Sequence, residues 1–127
     1  MNFIEVGVEK VPGRARLKSD LFPTPVYLSE PDEEQEVTLG IRPEHIRIEK
    51  EKTPQAVRGE VVRKSIVVGG QYLVTVRIAG VLLKAKIRSE IGMMIGKDVW
   101  VELPAEHITV FRKNGYRMRA GLMVSDS

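Results

Sequence analysis

Between Tyr72 and Arg88, apolar and polar side chains change places at almost every step. Tyr72, Val74, Val76 and Ile78 share one parity, with Leu73, Thr75 and Arg77 on the other. After Ala79-Gly80, the residues Val81, Leu83, Ala85 and Ile87 stand against Lys84, Lys86 and Arg88. A period of two marks a half-buried strand; a helix would repeat its apolar positions every three or four residues. Upstream, Val57 to Val68 is a long β-branched run, and Gly69-Gly70 supplies the positive φ of a tight hairpin. Residues 56–88 therefore read as a three-strand antiparallel meander with one apolar face and one largely basic face. Such a sheet must close on itself or pack against a second sheet to hide that apolar face and its edges.

The flanking segments supply more strands. Residues 3–10 read as a first strand, Pro12-Gly13 as a turn, Arg14 to Lys18 as a short return and Val26-Tyr27-Leu28 as another short strand. Pro31-Asp32-Glu33-Glu34-Gln35-Glu36 is an acidic turn expected to face water. Val37, Leu39 and Ile41 alternate with Thr38, Gly40 and Arg42, after which Pro43 removes a ladder donor and bends or ends the strand. Ile46 and Ile48 resume the alternation. Glu49 to Pro54 is a charged linker and a candidate internal boundary. Ile91-Gly92-Met93-Met94-Ile95-Gly96 reads as a covered loop or one short helical turn over a barrel mouth. Val99, Val101 and Leu103 form a strand with Trp100 on its other face, and His107 to Phe111 the last strand. Asn114-Gly115 signals a turn, and residues 120–127 a loose tail. No segment sustains a 3.6-residue period. The expected fold is all-β: one domain over residues 1–119, with an OB-like barrel at 37–111 and residues 1–36 adding N-terminal strands and loops.

The chain is 127 residues long, 43% hydrophobic and 29% charged, a globular composition. Its net charge of +3 permits a nucleic-acid partner without arguing for one. It has no cysteine, which excludes disulfides and thiolate metal sites. No apolar run approaches the roughly 20 residues that span a bilayer, and the first residues show no signal peptide. No Gly-x4-Gly-Lys-Ser/Thr loop is present, and Lys97-Asp98 after Gly92 to Gly96 lacks the hydroxyl that would hold magnesium. The two histidines, His45 and His107, have no Cys or His companions in sequence, so no metal is expected. Glu44-His45 reads as a surface pair at a strand corner rather than an acid–base couple. Arg58, Lys64, Arg77, Lys84, Lys86 and Arg88 would line the outer face of one sheet. Without stacking aromatics, that face reads as solvated rather than as a single-strand binding groove. Trp100 reads equally as an interface anchor or as a cap on the barrel. Gly40 lets backbones approach, Pro43 fixes the bend, and Arg42 and Glu44 project from a rigid corner, with an Arg–Glu tie expected for Glu44.

Three segments together resemble the C-terminal TOBE-type regulatory domain of ABC-importer ATPase subunits in the maltose-importer class. Leu39-Gly40-Ile41-Arg42-Pro43-Glu44-His45-Ile46 is similar to that family's corner. Gly59-Glu60-Val61, Gly70, Tyr72, Val74, Val76, Gly80, Leu83 and Ala85 follow its meander, and Gly96, Val99, Val101, Leu103 and His107 to Phe111 its closing strands. Met1-Asn2-Phe3 is similar to the junction where such subunits leave their nucleotide-binding domain. The resemblance implies a non-catalytic regulatory and dimerisation domain, with ATP and magnesium held by a nucleotide-binding half absent here. It also implies a homodimer through this domain, permease subunits reached through the parent ATPase, a regulatory protein as a further partner, and a cytoplasmic location peripheral to the membrane. Interface candidates are Arg42, Glu44, Met93, Met94 and Trp100. The alternative is a ligand-binding OB/TOBE module for an oxyanion, as in molybdate-class relatives, or for single-stranded nucleic acid. Ser65, Ser89 and Lys64 are too scattered to build an oxyanion site by inspection.

The missing phosphate-cradling loop yields a direct expectation. Isothermal titration of the 127-residue chain with Mg-ATP should show no binding, and micromolar binding would refute it.

Overall fold

A computed structural model describes residues 1–30, 32–67 and 69–124. The strands are β1 (Asn2–Val11), β2 (Arg14–Lys18), β3 (Val26–Leu28), β4 (Glu36–Ile41), β5 (Arg47–Glu49), β6 (Val57–Val67), β7 (Gln71–Ile78), β8 (Val81–Arg88), β9 (Asp98–Glu102), β10 (Thr109–Arg112) and β11 (Leu122–Val124). One short helix, α1 (Ser89–Met94), follows β8, and single 3-10 turns occupy Pro43–His45 and Ala105–His107. The alternation dictates this outcome. In β8 the buried residues are Leu83, Ala85 and Ile87, and in β7 they are Val74, Val76 and Ile78. The Ala79-Gly80 link carries positive φ at both positions, as a two-residue hairpin turn requires.

The strands form two antiparallel sheets. A six-stranded sheet runs β10-β4-β1-β2-β3-β11, and a five-stranded sheet, curled into a half-barrel, runs β5-β9-β6-β7-β8. Their inner faces share one apolar core. Ile4, Val6, Val8, Leu17, Val37, Leu39 and Val110 enter it from the first sheet. Ile48, Val74, Val76, Leu83, Ala85, Val99 and Val101 enter from the second. β4 and β10 pair into the sheet of β1, so the expected division at residue 36 runs between two strands, β1 and β4, that hydrogen-bond directly. Pro43 and Pro104 are where the chain changes sheets.

Three expectations are corrected. Residues 122–124 are not a loose tail but pair with β3, Leu122 against Leu28 and Val124 against Val26. Residues 125–127 lie outside the described residues, as do Pro31 of the acidic turn and Val68 at the end of the β-branched run. His107 lies in the second 3-10 turn rather than in a strand, because Pro104 opens a bend that delays pairing until Thr109. Lys64 does not share the outer basic face. A bulge between Val61 and Arg63 shifts the register, so Lys64 faces Val74 and Ile66 faces Tyr72 on the core side of the sheet.

Val76 is fully buried between β6 and β8. Val76→Asp places an uncompensated carboxylate in the shared core and should cost several kcal/mol, about 3 or more, in urea unfolding. A variant melting within a degree or two of the parent would show that this face is not the core.

Candidate functional site

Among the described residues, the clefts are open and shallow, so the candidate site is built from surfaces. The central one is the crossing between the sheets. β4 passes through Arg42 and the Pro43–His45 turn into β5, and β9 returns through Pro104 and the Ala105–His107 turn into β10. The two chains stay paired on both sides of the bend: Gly40 faces Thr109 before it, and Arg47 faces Glu102 after it. Both chains therefore spend the same length on the corner. The sequence explains this symmetry, because Glu44-His45-Ile46 and Glu106-His107-Ile108 are the same tripeptide, each behind a proline. Pro43 opens the first turn behind extended Arg42, Pro104 is itself the extended residue before the second, and in both the isoleucine drops into the core. The repeat was readable in the sequence as two copies of Glu-His-Ile, but reading the histidines singly hides it. They are companions after all: their rings stack at 4.0 Å between centroids and 15° between planes.

Around the stack the corner is charged. Among the described residues, neither Arg42 nor Glu44 forms an ion pair, so the expected tie is not made. The proline-set turn points both side chains into solvent. The Glu44 carboxyl is held below its ordinary range, first by its own backbone N–H and then by the charges of His45, Arg42 and Lys86.

The other sequence candidates lie elsewhere. Met93 and Met94 stand exposed on α1, at 73% and 67%. That helix is seated by Gly92, where any Cβ would come within 2.2 Å of the Tyr72 ring. Lys64 fixes its end. Its ammonium donates to the carbonyls of Gly92 at 2.8 Å and Ile95 at 3.4 Å and lies 5.5 Å from the Tyr72 centroid. Lys64 is thus committed to the fold rather than to an oxyanion. Trp100 is half-buried on the outer face of the five-stranded sheet, between Glu49 and Arg58, with the Lys52 ammonium 5.6 Å from its ring centre. It does not cap the barrel. On the basic face, Arg77 pairs with Glu60, Arg58 with Asp98 and Arg88 with Glu90. Corner, α1 and Trp100 sit on three different elements, and no hydrogen bond or ion pair among the described residues joins one to another.

Three features escaped the sequence reading. On the outer face of the six-stranded sheet, Phe3 is 62% exposed and meets Phe111 edge to face, with centroids 5.9 Å apart. Gly40 makes room for them: a Cβ there would come within 2.9 Å of Phe111 and 3.0 Å of the Met1 sulfur. Asn2 acts as a one-residue strand against the free edge of β8. Its Nδ2 donates to the Lys84 carbonyl and its Oδ1 accepts from the Lys84 N–H, both at 2.8 Å. The acidic turn is not merely solvated, for Arg112 makes two parallel bonds to Asp32, at 3.0 and 3.1 Å, and one to Glu34 at 3.1 Å. The turn's charges have a partner because β10 ends beside β4, a pairing that no local pattern shows.

A family model for the TOBE domain matches residues 39–111, and one for the MalK OB fold domain matches residues 1–46. No curated protein matches the chain.

The Asp32–Arg112 latch gives a pH signature. Partial burial pushes the Asp32 carboxyl up. The Arg112 guanidinium and the backbone N–H groups of Glu34 and Glu33 outweigh it, leaving the group below 3.8. A lowered folded value adds stability that is present above the ordinary carboxylate range and is lost as pH falls through the folded one. Asp32→Asn should therefore cost about 1 kcal/mol at pH 7, and the gap from the parent should narrow as the pH falls below the ordinary carboxylate range. Urea unfolding at pH 7 and through that acid range tests this; a gap that persists in acid would mean that charge is not its source.

Proposed function

The chain belongs to the TOBE domain family, and from that premise we propose that it works as a non-catalytic dimerisation and regulatory module. It is a TOBE/OB regulatory domain of a MalK-like ABC transporter ATPase. The finer reading is that it serves a sugar importer, pairs with a second copy of itself while the nucleotide-binding halves open and close, and offers a surface to a regulatory protein. It would sit at the cytoplasmic side of the membrane, held to permease subunits only through the parent subunit. No helix among the described residues is long and apolar enough to cross a membrane. ATP and magnesium would belong to the nucleotide-binding half.

The observation that carries the dimer reading is the cluster of exposed Met1 and Phe3 with half-buried Phe111, gathered over a glycine on the six-stranded sheet. Aromatic side chains fixed on a sheet face are what a two-fold contact uses, since one patch then serves both copies. The α1 cap, with Met93, Met94 and Ile66 exposed, is a separate adaptable surface suited to a protein segment of different shape. Two surfaces for two partners fit a module that both pairs and is regulated.

Sedimentation velocity from micromolar to millimolar concentration should show a concentration-dependent monomer–dimer equilibrium. The pairing is expected to be weak, because the parent's other halves add effective concentration that this chain lacks. Phe3→Glu should weaken the dimer about tenfold or more, while Met93→Glu leaves it unchanged. A strict monomer at millimolar concentration, or a dimer lost only in Met93→Glu, would refute this assignment.

A further inference from the structure

We propose that a row of side chains on the outer face of the six-stranded sheet orients a second copy of this chain. Across a two-fold axis running along the strands, Arg117 of each copy meets Glu5 of the other. The inference rests on the dimer reading above and adds to it what fixes the direction of pairing.

The basic end of the row is a hairpin that continues β10. The chain turns at Asn114-Gly115, with positive φ at Gly115, and comes back alongside the strand. The Tyr116 carbonyl accepts from the Arg112 N–H at 2.7 Å, and the Val110 carbonyl from the Met118 N–H at 2.8 Å. In this pairing Arg117 lies opposite Phe111. Met118 and Ala120 are buried, so Arg117 and Arg119 point the other way and stand exposed, as Lys113 does at the turn. Among the described residues, none of these three cations has a carboxylate partner.

The strand register shows what stands in line with Arg117. Residues directly opposite one another on paired strands share a face. Phe111 is opposite Thr38, and Thr38 is opposite Glu5. One row on the outer face therefore reads Arg117, Phe111, Thr38, Glu5. The next row holds Phe3 opposite Gly40, so the charges flank the aromatic cluster. Glu5 is exposed and forms no ion pair among the described residues.

The two ends of the row are three strand spacings apart, roughly 14 Å. A copy laid over it in the same direction would set like charges against each other. Turned about an axis parallel to the strands through the middle of the row, the row matches itself, cation over anion at both ends. Packed sheets stand about 10 Å apart, within the combined reach of an arginine and a glutamate. Charges at the edge of a contact set orientation and encounter rate more than affinity. The aromatic cluster thus supplies the adhesion, and the row supplies the direction.

Sedimentation velocity of the whole chain tests this, with the variants run singly and mixed. Arg117→Glu and Glu5→Arg should each weaken self-pairing about tenfold, because two attractive contacts become two repulsive ones. Mixed in equal amounts, the two variants should pair about as tightly as the parent, since both contacts of the mixed dimer again join opposite charges. Both positions are exposed, so each variant should keep the parent's melting temperature. In the parent, about 0.5 M sodium chloride should loosen the dimer about threefold, a readout that needs no substitution. A parent dimer that is indifferent to salt, or variants that do not recover on mixing, would overturn this proposal and leave the dimer reading standing. A parent that stays monomeric at millimolar concentration would remove that reading and this proposal together.

Discussion

The two-chain crossing is the constraint on which the rest of the structure depends. Two strands bend together from one sheet into the other and are paired on both sides of the bend. A lone strand turning a corner would leave its backbone groups unpaired beside an apolar core, at about 1–3 kcal/mol for each buried group. Two strands turning in step satisfy one another on both sides of the corner. Ile46 and Ile108 then plug the core beneath the two turns. Because the lengths match, the sheets are locked in one mutual position, and the shared core can be packed as a single cluster.

The element types were largely legible because one physical rule produces them. Wherever a sheet has one wet face, side chains alternate, and β4, β7, β8 and β9 show that alternation plainly. The assignment of strands to sheets was much less so. Alternation says that Val37, Leu39 and Ile41 face a core, but not that their neighbours are β1 and β10. That pairing is set by chain segments some seventy residues apart, as Leu39 against Val110 shows. The bulge at Val61 and Arg63 is likewise silent in sequence, and it moves Lys64 and Ile66 from one face to the other at a stroke. The candidate surfaces were legible in part. Exposed Met93 and Met94 follow from their glycine-bracketed helix. The Phe3–Phe111 contact joins the two ends of the chain, and the stacked histidines join two corners, so neither has a local signature.

The same rigidity separates structural charge from free charge. Arg112, Lys64 and Asn2 look in sequence like solvent-facing polar residues, yet each fastens one element to another. Arg112 holds the acidic turn to the end of β10, Lys64 seats α1, and Asn2 blunts the exposed edge of β8. Covering that edge matters, since an eight-residue strand with free ladder groups invites pairing with other chains. Seven of the 20 Lys and Arg side chains form ion pairs among the described residues. The surface also carries exposed apolar side chains.

That residue of apolar surface lies mainly on two stiff platforms, at opposite kinds of geometry. Phe3 and Phe111 meet edge to face over Gly40, where a larger residue would push the rings aside. Met93 and Met94 project from a single helical turn over the end of the half-barrel, with the conformational freedom of unbranched side chains. A rigid sheet face suits a copy of itself, because self-complementarity demands a fixed shape. A small flexible knob suits a partner whose shape is not its own. The crossing joins the two platforms, since β4 and β10 carry the first while β5 and β9 lead into the sheet that carries the second. Because the two sheets share one apolar core, any shift of one platform relative to the other has to pass through the crossing and the layer packed beneath it. The joint at His45 and His107 is therefore the place where a small local change has the longest lever on what the two surfaces can reach at once.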